Sequence, residues 1–583
     1  MRYAPTTSLN KRDRYERLRA ALLQDRRSFE AHWRDLADYL FPRRTRWWAG
    51  DRNRGDKRNQ KIIDSTGRFA ARTLQSGLHA GLTSPARPWF KLTTPDTKLA
   101  EQKEVASWLE IVTQRMQVVL ADGNLYNVLP IVYGDMGVFG TAAMAFLDDT
   151  EDLYRCYAYP VGSYALGLDR RNRATTFVRD YELSVLQIVQ EFGVKPGYKD
   201  VDWTTIPDIV KGQYDRGDYT FNHELCWLVQ PNPEADPKRI GSRFLPWSSC
   251  HWLRGDQSKG FLRESGFKTF PIMAPRWDIT GEDTYGTDCP GMTVLGDVKQ
   301  LQIMHKRKAQ AIAKMVDPPL KGSAELRTQK TSLLAGDITY LRDPKEGLAP
   351  IHEVRLDIDH LSRDIGETQY RIQRGFYEDL FLMLAQNDQQ RDSAQPITAR
   401  EVEERHEEKL LALGPVLERT NDELLDPIIE RIYLLMENAG LIPPPPQALQ
   451  GVALKVEYIS IMAQAQKLVG VVAQDRFLQS VGPLIQVFPE MRNKIDSNQV
   501  VDNYGAMLGV DPRIIRSSDD ADALSAQQAQ AQKDQAEAIQ AANMSKAVKN
   551  AGSTPVGTGS ALDALVGGVT AGVPSSASVA GAP

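Results

Sequence analysis

Apolar residues recur at three- and four-residue spacing in three N-terminal stretches, which predicts amphipathic helices there. From 10 to 41 the stripe is Tyr15, Leu18, Leu22, Phe29, Trp33, Leu36 and Leu40, beneath a strongly basic face, and Phe41-Pro42 ends it. A polar, Arg-rich stretch runs to Gly55, and a second helix is expected from Ser65 to Leu82. Ser84-Pro85-Ala86-Arg87-Pro88 then breaks the chain, because neither proline continues a helix. A third helix, over 98–121, buries Val105, Trp108, Leu109, Val112 and Met116.

From about 135 to 286 the pattern becomes short and β-favouring. Ala142–Leu147, Thr176–Tyr181 and Cys226–Val229 are separated by Gly, Pro, Asn and Asp, and one helix is expected near 183–193. Helical periodicity returns over 290–316 with Val294, Val298, Leu301, Met304, Ile312 and Met315 in phase, stopped by Asp317-Pro318-Pro319. After a turn-rich insert over 318–352, with a strand expected at Asp337–Leu341, a helix over 357–385 aligns Leu361, Ile365, Ile372, Phe376 and Leu380. A polar loop leads to a long helix over 398–438, in which Gly414-Pro415 removes a ladder bond and predicts a kink. Pro443–Pro446 form a stiff spacer, a strand is expected at Leu454–Tyr458, and more helix runs to 516. Residues 517–583 are rich in Ala, Gln, Gly and Ser, which predicts a weakly apolar helix and then a disordered end from Gly552.

With 583 residues, several domains are expected, and the whole reads as mixed α+β and helix-rich. The net charge of −4 says little, but residues 1–72 hold 19 Lys and Arg against 9 Asp and Glu. Such a basic arm suits an anionic surface, an acidic neighbouring subunit, or simply solvent. Cys156, Cys226, Cys250 and Cys289 make no CxxC pair, so neither a disulfide framework nor structural zinc is expected, in keeping with a reducing compartment. No apolar run of about 18 residues occurs, and the N-terminus lacks a signal-peptide core.

Catalytic motifs are weak. Pro95-Asp96 with Glu101-Gln102-Lys103 imitates a metal-dependent nuclease set, but the interval is short and Glu101 begins a helix. His406-Glu407 is followed by Leu410 where a zinc protease needs its second His. Glu403, Glu404, Glu407 and Glu408 alternate with Arg400, Arg405 and Lys409, as on a solvated helix face. No GxxxxGK[ST] loop is present to cradle a nucleotide. No catalytic residue, metal or cofactor is therefore expected.

The order helix, compact insert, helix, polar loop, long helix has two readings. Repeated around an axis, the hairpin is the wall of a ring closed by heterologous contacts; alone, it is an ordinary helical hairpin. Four stretches bear on the choice: Ile63-Asp64-Ser65-Thr66-Gly67 continuing through Gly77–Phe90; Tyr285-Gly286-Thr287 with the following basic helix and Asp317-Pro318-Pro319; Thr398–Val402 leading into Leu413-Gly414-Pro415-Val416; and Val456–Ser460 with Ala463–Lys467. In this order they resemble the head-to-tail connecting (portal) proteins of short-tailed, T7-like bacteriophages, across about residues 15–510.

The resemblance implies a dodecameric channel at one capsid vertex through which double-stranded DNA is packaged, retained and ejected. It implies a wing at 1–285, a first stem helix at 286–316, a clip at 317–356, a second stem helix at 357–385 and a tunnel loop at 386–396. A kinked wing helix at 397–450, a crown at 451–516 and a low-complexity tail at 517–583 would follow. The implied partners are copies of the chain, a separate terminase ATPase, a head–tail adaptor, and capsid and scaffold proteins, with no membrane. The chain would be made in the host cytoplasm and end in the virion. The loop residues are Gln386, Asn387, Asp388, Gln389, Gln390, Arg391 and Asp392, whose balanced charge suits a conduit that must not trap phosphates; a flexible surface loop is the other reading. Lys306, Arg307, Lys308 and Lys314 are candidates to face the channel, or to pair with Asp364 and Glu367 across the hairpin. Another virion ring or tube protein, or a packaging nuclease, is the alternative assignment.

Overall fold

A computed structural model describes residues 8–51, 53, 55–100, 102–149, 151–194, 200–256, 258, 260–317, 319–322, 349–350, 358–386, 413–460, 480–481, 500–501 and 518–551. The chain divides into two units, Met1–Val469 and Gly470–Pro583. The first begins with α1 (Ser8–Tyr39), α2 (Thr66–Leu82), β1 (Phe90–Thr93), the short α3 (Thr97–Ala100), α4 (Lys103–Asp122) and α5 (Leu125–Phe139). The three amphipathic stripes read from sequence are α1, α2 and α4. Helix α5 escaped that reading because it has no polar face: most of its residues are buried, and it carries Pro130 within it.

Strands follow: β2 (Ala143–Asp148), β3 (Tyr154–Tyr159), β4 (Tyr164–Leu168), β5 (Ala174–Ser184), β6 (Asn222–Pro231), β7 (Trp247–Leu253), β8 (Arg263–Phe267) and β9 (Ile272–Met273). They make a five-stranded sheet ordered β4-β5-β6-β7-β8 and a three-stranded sheet ordered β3-β2-β9, antiparallel throughout. The helix expected near 183–193 is a single turn, α6 (Val185–Ile188), with a capping box at Ser184 and Gln187, continued by a π-helical turn at Val189–Gly193. A further helix, α7 (Asp208–Arg216), joins it over a small apolar cluster of Val185, Ile188, Ile206, Val210, Leu225 and Leu253.

The apolar stripe of α1 lies on the five-stranded sheet, with part of the helix's positive charge beside it. Tyr15 and Leu22 pack on Ala165, Val178, Cys226, Leu228 and Trp252. Arg12 donates to the Leu253 and Gly260 carbonyls at 2.6 and 3.1 Å, Lys11 to Glu264 at 2.5 Å, and Arg19 forks onto Asp180. Arg44 likewise pairs with the buried Asp135. Part of the N-terminal positive charge is thus spent inside the chain, where buried cations need partners, while Arg14, Arg17, Arg27 and Arg34 stay exposed.

All four cysteines are free and buried, and burial pushes Cys250 and Cys289 up to about 12, which disfavours the thiolate. Among the described residues no group of three His, Cys, Asp or Glu side chains is placed to hold a metal ion. No described helix is long and apolar enough to cross a membrane.

Then come α8 (Pro290–Val316) and the antiparallel pair β10 (Leu320–Lys321) and β11 (Ala349–Pro350), which closes the ends of the insert. The helix expected over 357–385 is two: α9 (Ile358–Gly375) and α10 (Glu378–Gln386), broken where Tyr377 takes φ 55°. Helix α11 is described over 413–420, passes through a π-helical turn at Asn421–Leu425, and continues as α12 (Asp426–Asn438). Strand β12 (Lys455–Tyr458) pairs with β1 from Phe90↔Tyr458 to Thr93↔Lys455. The strand expected at Asp337–Leu341, the start of the 398–438 helix, the helix expected up to 516 (apart from 480–481 and 500–501) and the end from Gly552 lie outside the described residues. In the second unit, α13 (Ser518–Ala551) leaves Leu524, Ile539 and Met544 exposed, the weakly apolar helix that its composition predicts.

Candidate functional site

Helices α8 and α9 pack as a hairpin whose base is built into the main core. Val294, Val298 and Leu301 of α8 are buried there with Ile365, Ile372 and Phe376. The entry to α8 is set backbone against backbone. A Cβ on Gly286 would overlap the Gly140 carbonyl, and one on Gly291 would overlap that of Val138, so neither position tolerates a side chain. Gly140 itself takes φ 78°, and Thr141 Oγ1 accepts the Gly286 N–H at 2.7 Å. Tyr285 is wedged between Phe29 and Trp33, each 5.1 Å away, and accepts the Leu166 N–H at 3.0 Å. The Tyr285-Gly286-Thr287 motif is therefore the joint between α1, α5 and the hairpin.

A second joint forms at the start of α2. Gln302, on the buried stripe of α8, accepts the Ile63 and Asp64 N–H groups at 2.6 and 2.7 Å and donates to the Asp64 carbonyl at 3.0 Å. The Asp64 carboxylate accepts the Thr66 N–H at 2.9 Å and Gln369 Nε2 of α9 at 3.2 Å, and lies 3.3 Å from His305 Nε2 of α8. One carboxylate thus meets both hairpin helices. The sequence reading missed this group; its one signal was a polar residue, Gln302, four positions after Val298 on an otherwise apolar stripe.

The tip half of α8 differs. Ile303, Ile312, Met315 and Val316 are 51, 41, 43 and 79 % exposed, and Tyr370 of α9 is 60 % exposed. Lys306, Arg307 and Lys314 are exposed as well, while Lys308 donates to Ser362 Oγ at 3.1 Å. The expected pairing of this basic group with Asp364 and Glu367 is not found among the described residues. Among the described residues an ion pair across the hairpin joins Arg371 to Asp297 at 3.3 Å.

Of the loop residues, Gln386 closes α10, while Asn387, Asp388, Gln389, Gln390, Arg391 and Asp392 lie outside the described residues. Gly414 and Pro415 sit in the first described turn of α11, so the stretch before the expected kink lies outside them too. The irregularity that is described falls later, in the π-turn ahead of Pro427, whose missing N–H cannot close an α-helical bond. That turn carries Glu423, which accepts the buried Arg276 side chain and its backbone N–H, the latter at 2.8 Å. Pro415 and Val416 line a cleft of about 560 Å³ with Cys289, Arg374 and Tyr377, where the hairpin base meets the α9–α10 break. The nuclease-like Asp96 accepts the Lys98 N–H at 3.0 Å in a local turn, and its companion Glu101 lies outside the described residues.

The sequence matches the model of the family described as bacteriophage head to tail connecting protein over residues 12–515. The chain belongs to that family. It is 42% identical over 537 residues to the portal protein of Salmonella phage epsilon15, covering 92% of this chain and 93% of the relative. It is 40% identical over 496 residues to the probable portal protein of Bordetella phage BPP-1, covering 85% and 87%. Membership makes the chain a head-to-tail connector, a component of the phage particle. Among solved structures, a chain from the neck of an empty GTA particle matches with TM-score 0.32 and 10% identity over 77% of this chain and 92% of its own length. A chain from a native gene transfer agent virion matches with TM-score 0.33 and 9% identity, covering 84% and 99%. Likeness at that level says nothing about how this chain is arranged.

Proposed function

We propose that copies of the chain close into a ring, twelve in number by family resemblance, in which the α8–α9 hairpins form the wall of a DNA channel. The observation that carries this reading is the contrast along α8. Its base is locked into the core, whereas its tip half presents Ile312, Met315 and Val316 to solvent. Large apolar groups left open on a projecting hairpin are satisfied when a neighbouring hairpin covers them, and a head-to-tail contact that closes gives a ring. Lys306, Arg307 and Lys314 then lie near passing phosphates, where spread positive charge attracts the duplex without fixing it. The 386–396 loop projects into the channel, the 317–356 insert docks the packaging ATPase and later the tail adaptor, and the chain itself is a passive conduit.

Electron micrographs of the purified protein test the reading. Closed rings with a central channel are expected; monomers or open filaments would overturn it. A ring that hydrolysed ATP unaided at motor-like rates would remove the passive role.

A further inference from the structure

Helix α2 meets the hairpin system at two places. At its start, the backbone of Ile63 and Asp64 is held by Gln302 and the Asp64 carboxylate by Gln369, and Gly67 lets α8 approach so closely that a Cβ would lie 2.9 Å from Val298 Cγ2. At its other end Gly77 receives the Phe381 ring of α10, which a Cβ would overlap. Ten residues separate the two glycines, about 15 Å of helix. Between them Leu74 is seated on Gly137 of α5, so the bar cannot bend there without opening the core. The direct route from α9 to α10 passes through the break at Tyr377, where helical hydrogen bonding is interrupted.

We propose that α2 is a coupling bar between the hairpin and α10, the helix that leads into the 386–396 loop, and that Asp64 is the positioning residue that fastens the hairpin to it. Release of the clasp at Asp64 loosens the α8 turn at Gln302, lets the start of α2 shift, and loosens the seat of Phe381 at Gly77. Coupling of this kind runs both ways, since a free-energy link between two sites is reciprocal. Its consequence for DNA transit rests on the channel reading; the coupling itself does not.

Hydrogen exchange on the full-length protein tests it. Gln302→Ala removes the α8 bonds to the backbone at the start of α2 and leaves Gln369 on Asp64, so exchange in α9 is read alongside: an effect carried by α2 reaches α10 with α9 unchanged. The variant is expected to speed exchange about tenfold at the base of α8 and severalfold across Glu378–Gln386. Phe381→Ala is expected to speed exchange around Val298–His305 in return. Asp64→Asn, which keeps an acceptor for the Thr66 N–H, is expected to give a smaller change of the same pattern. Unchanged α10 protection in Gln302→Ala, with α8 loosened, would overturn the coupling, as would an unaffected α8 in Phe381→Ala. Micrographs of the same samples separate this result from the ring: closed rings with uncoupled exchange sink the coupling alone, and coupled exchange without rings sinks the channel reading alone.

Discussion

The two halves of α8 share one helix and nearly the same apolar spacing, yet they meet opposite fates. Near the base, Val294, Val298 and Leu301 are buried and Gln302 is fully bonded. Beyond His305, Ile312 and Met315 stand in solvent. Periodicity shows which side of a helix wants cover; it does not say whether the same chain or another copy supplies it. The base is self-sufficient, and the tip is built for a neighbour.

The sharpest way to break that comparison is at the base entry. Gly286→Val forces a branched side chain into the Gly140 carbonyl, and a loss of more than about 4 kcal/mol is expected, read as failure to recover soluble folded protein. Next, Leu301→Ala should cost about 3 kcal/mol in denaturant unfolding because it leaves a cavity in the core. Ile312→Ala, on the same helix, should change the stability of the unassembled chain by less than about 0.5 kcal/mol. Equal costs for the two would erase the distinction between the halves.

A pH-dependent effect tests the self-sufficient sheet. His251 is stacked 5.4 Å from Trp227, its Nδ1 lies 3.0 Å from the Tyr181 hydroxyl, and burial with Arg263 and Arg179 nearby lowers it to about 3. The unfolded value is near 6.5, so the neutral ring stabilises fully above that pH. Stability then falls as pH drops from about 6.5 towards 3, by up to about 1.4 kcal/mol per unit, since only the unfolded chain takes up the proton. His251→Gln should flatten that slope in pH-dependent unfolding. Trp33→Phe removes the 3.1 Å bond from Nε1 to the Phe139 carbonyl and should cost about 1 kcal/mol.

Long amphipathic elements were legible from sequence because each buries one stripe: α1, α2, α4 and α8 fall within a few residues of where periodicity puts them. Helix α5 was not, since a helix buried on every side has no phase to detect. The break at Tyr377 was also hidden, because Phe376 and Leu380 remain in helical phase across it. The glycine-bearing motifs that carry the family resemblance lie at joints of the fold, a placement their spacing did not announce. The Asp64 clasp was out of reach, because it joins residues more than two hundred positions apart through hydrogen bonds that leave no periodic trace.

The central claim is that the tip of the hairpin belongs to the next copy. Sedimentation velocity on the purified protein and on Ile312→Asp/Met315→Asp tests it most directly. Closed ring-sized particles are expected for the parent chain and folded monomers for the variant, with the variant's helix content by circular dichroism unchanged. Rings that persist in the variant would contradict the account.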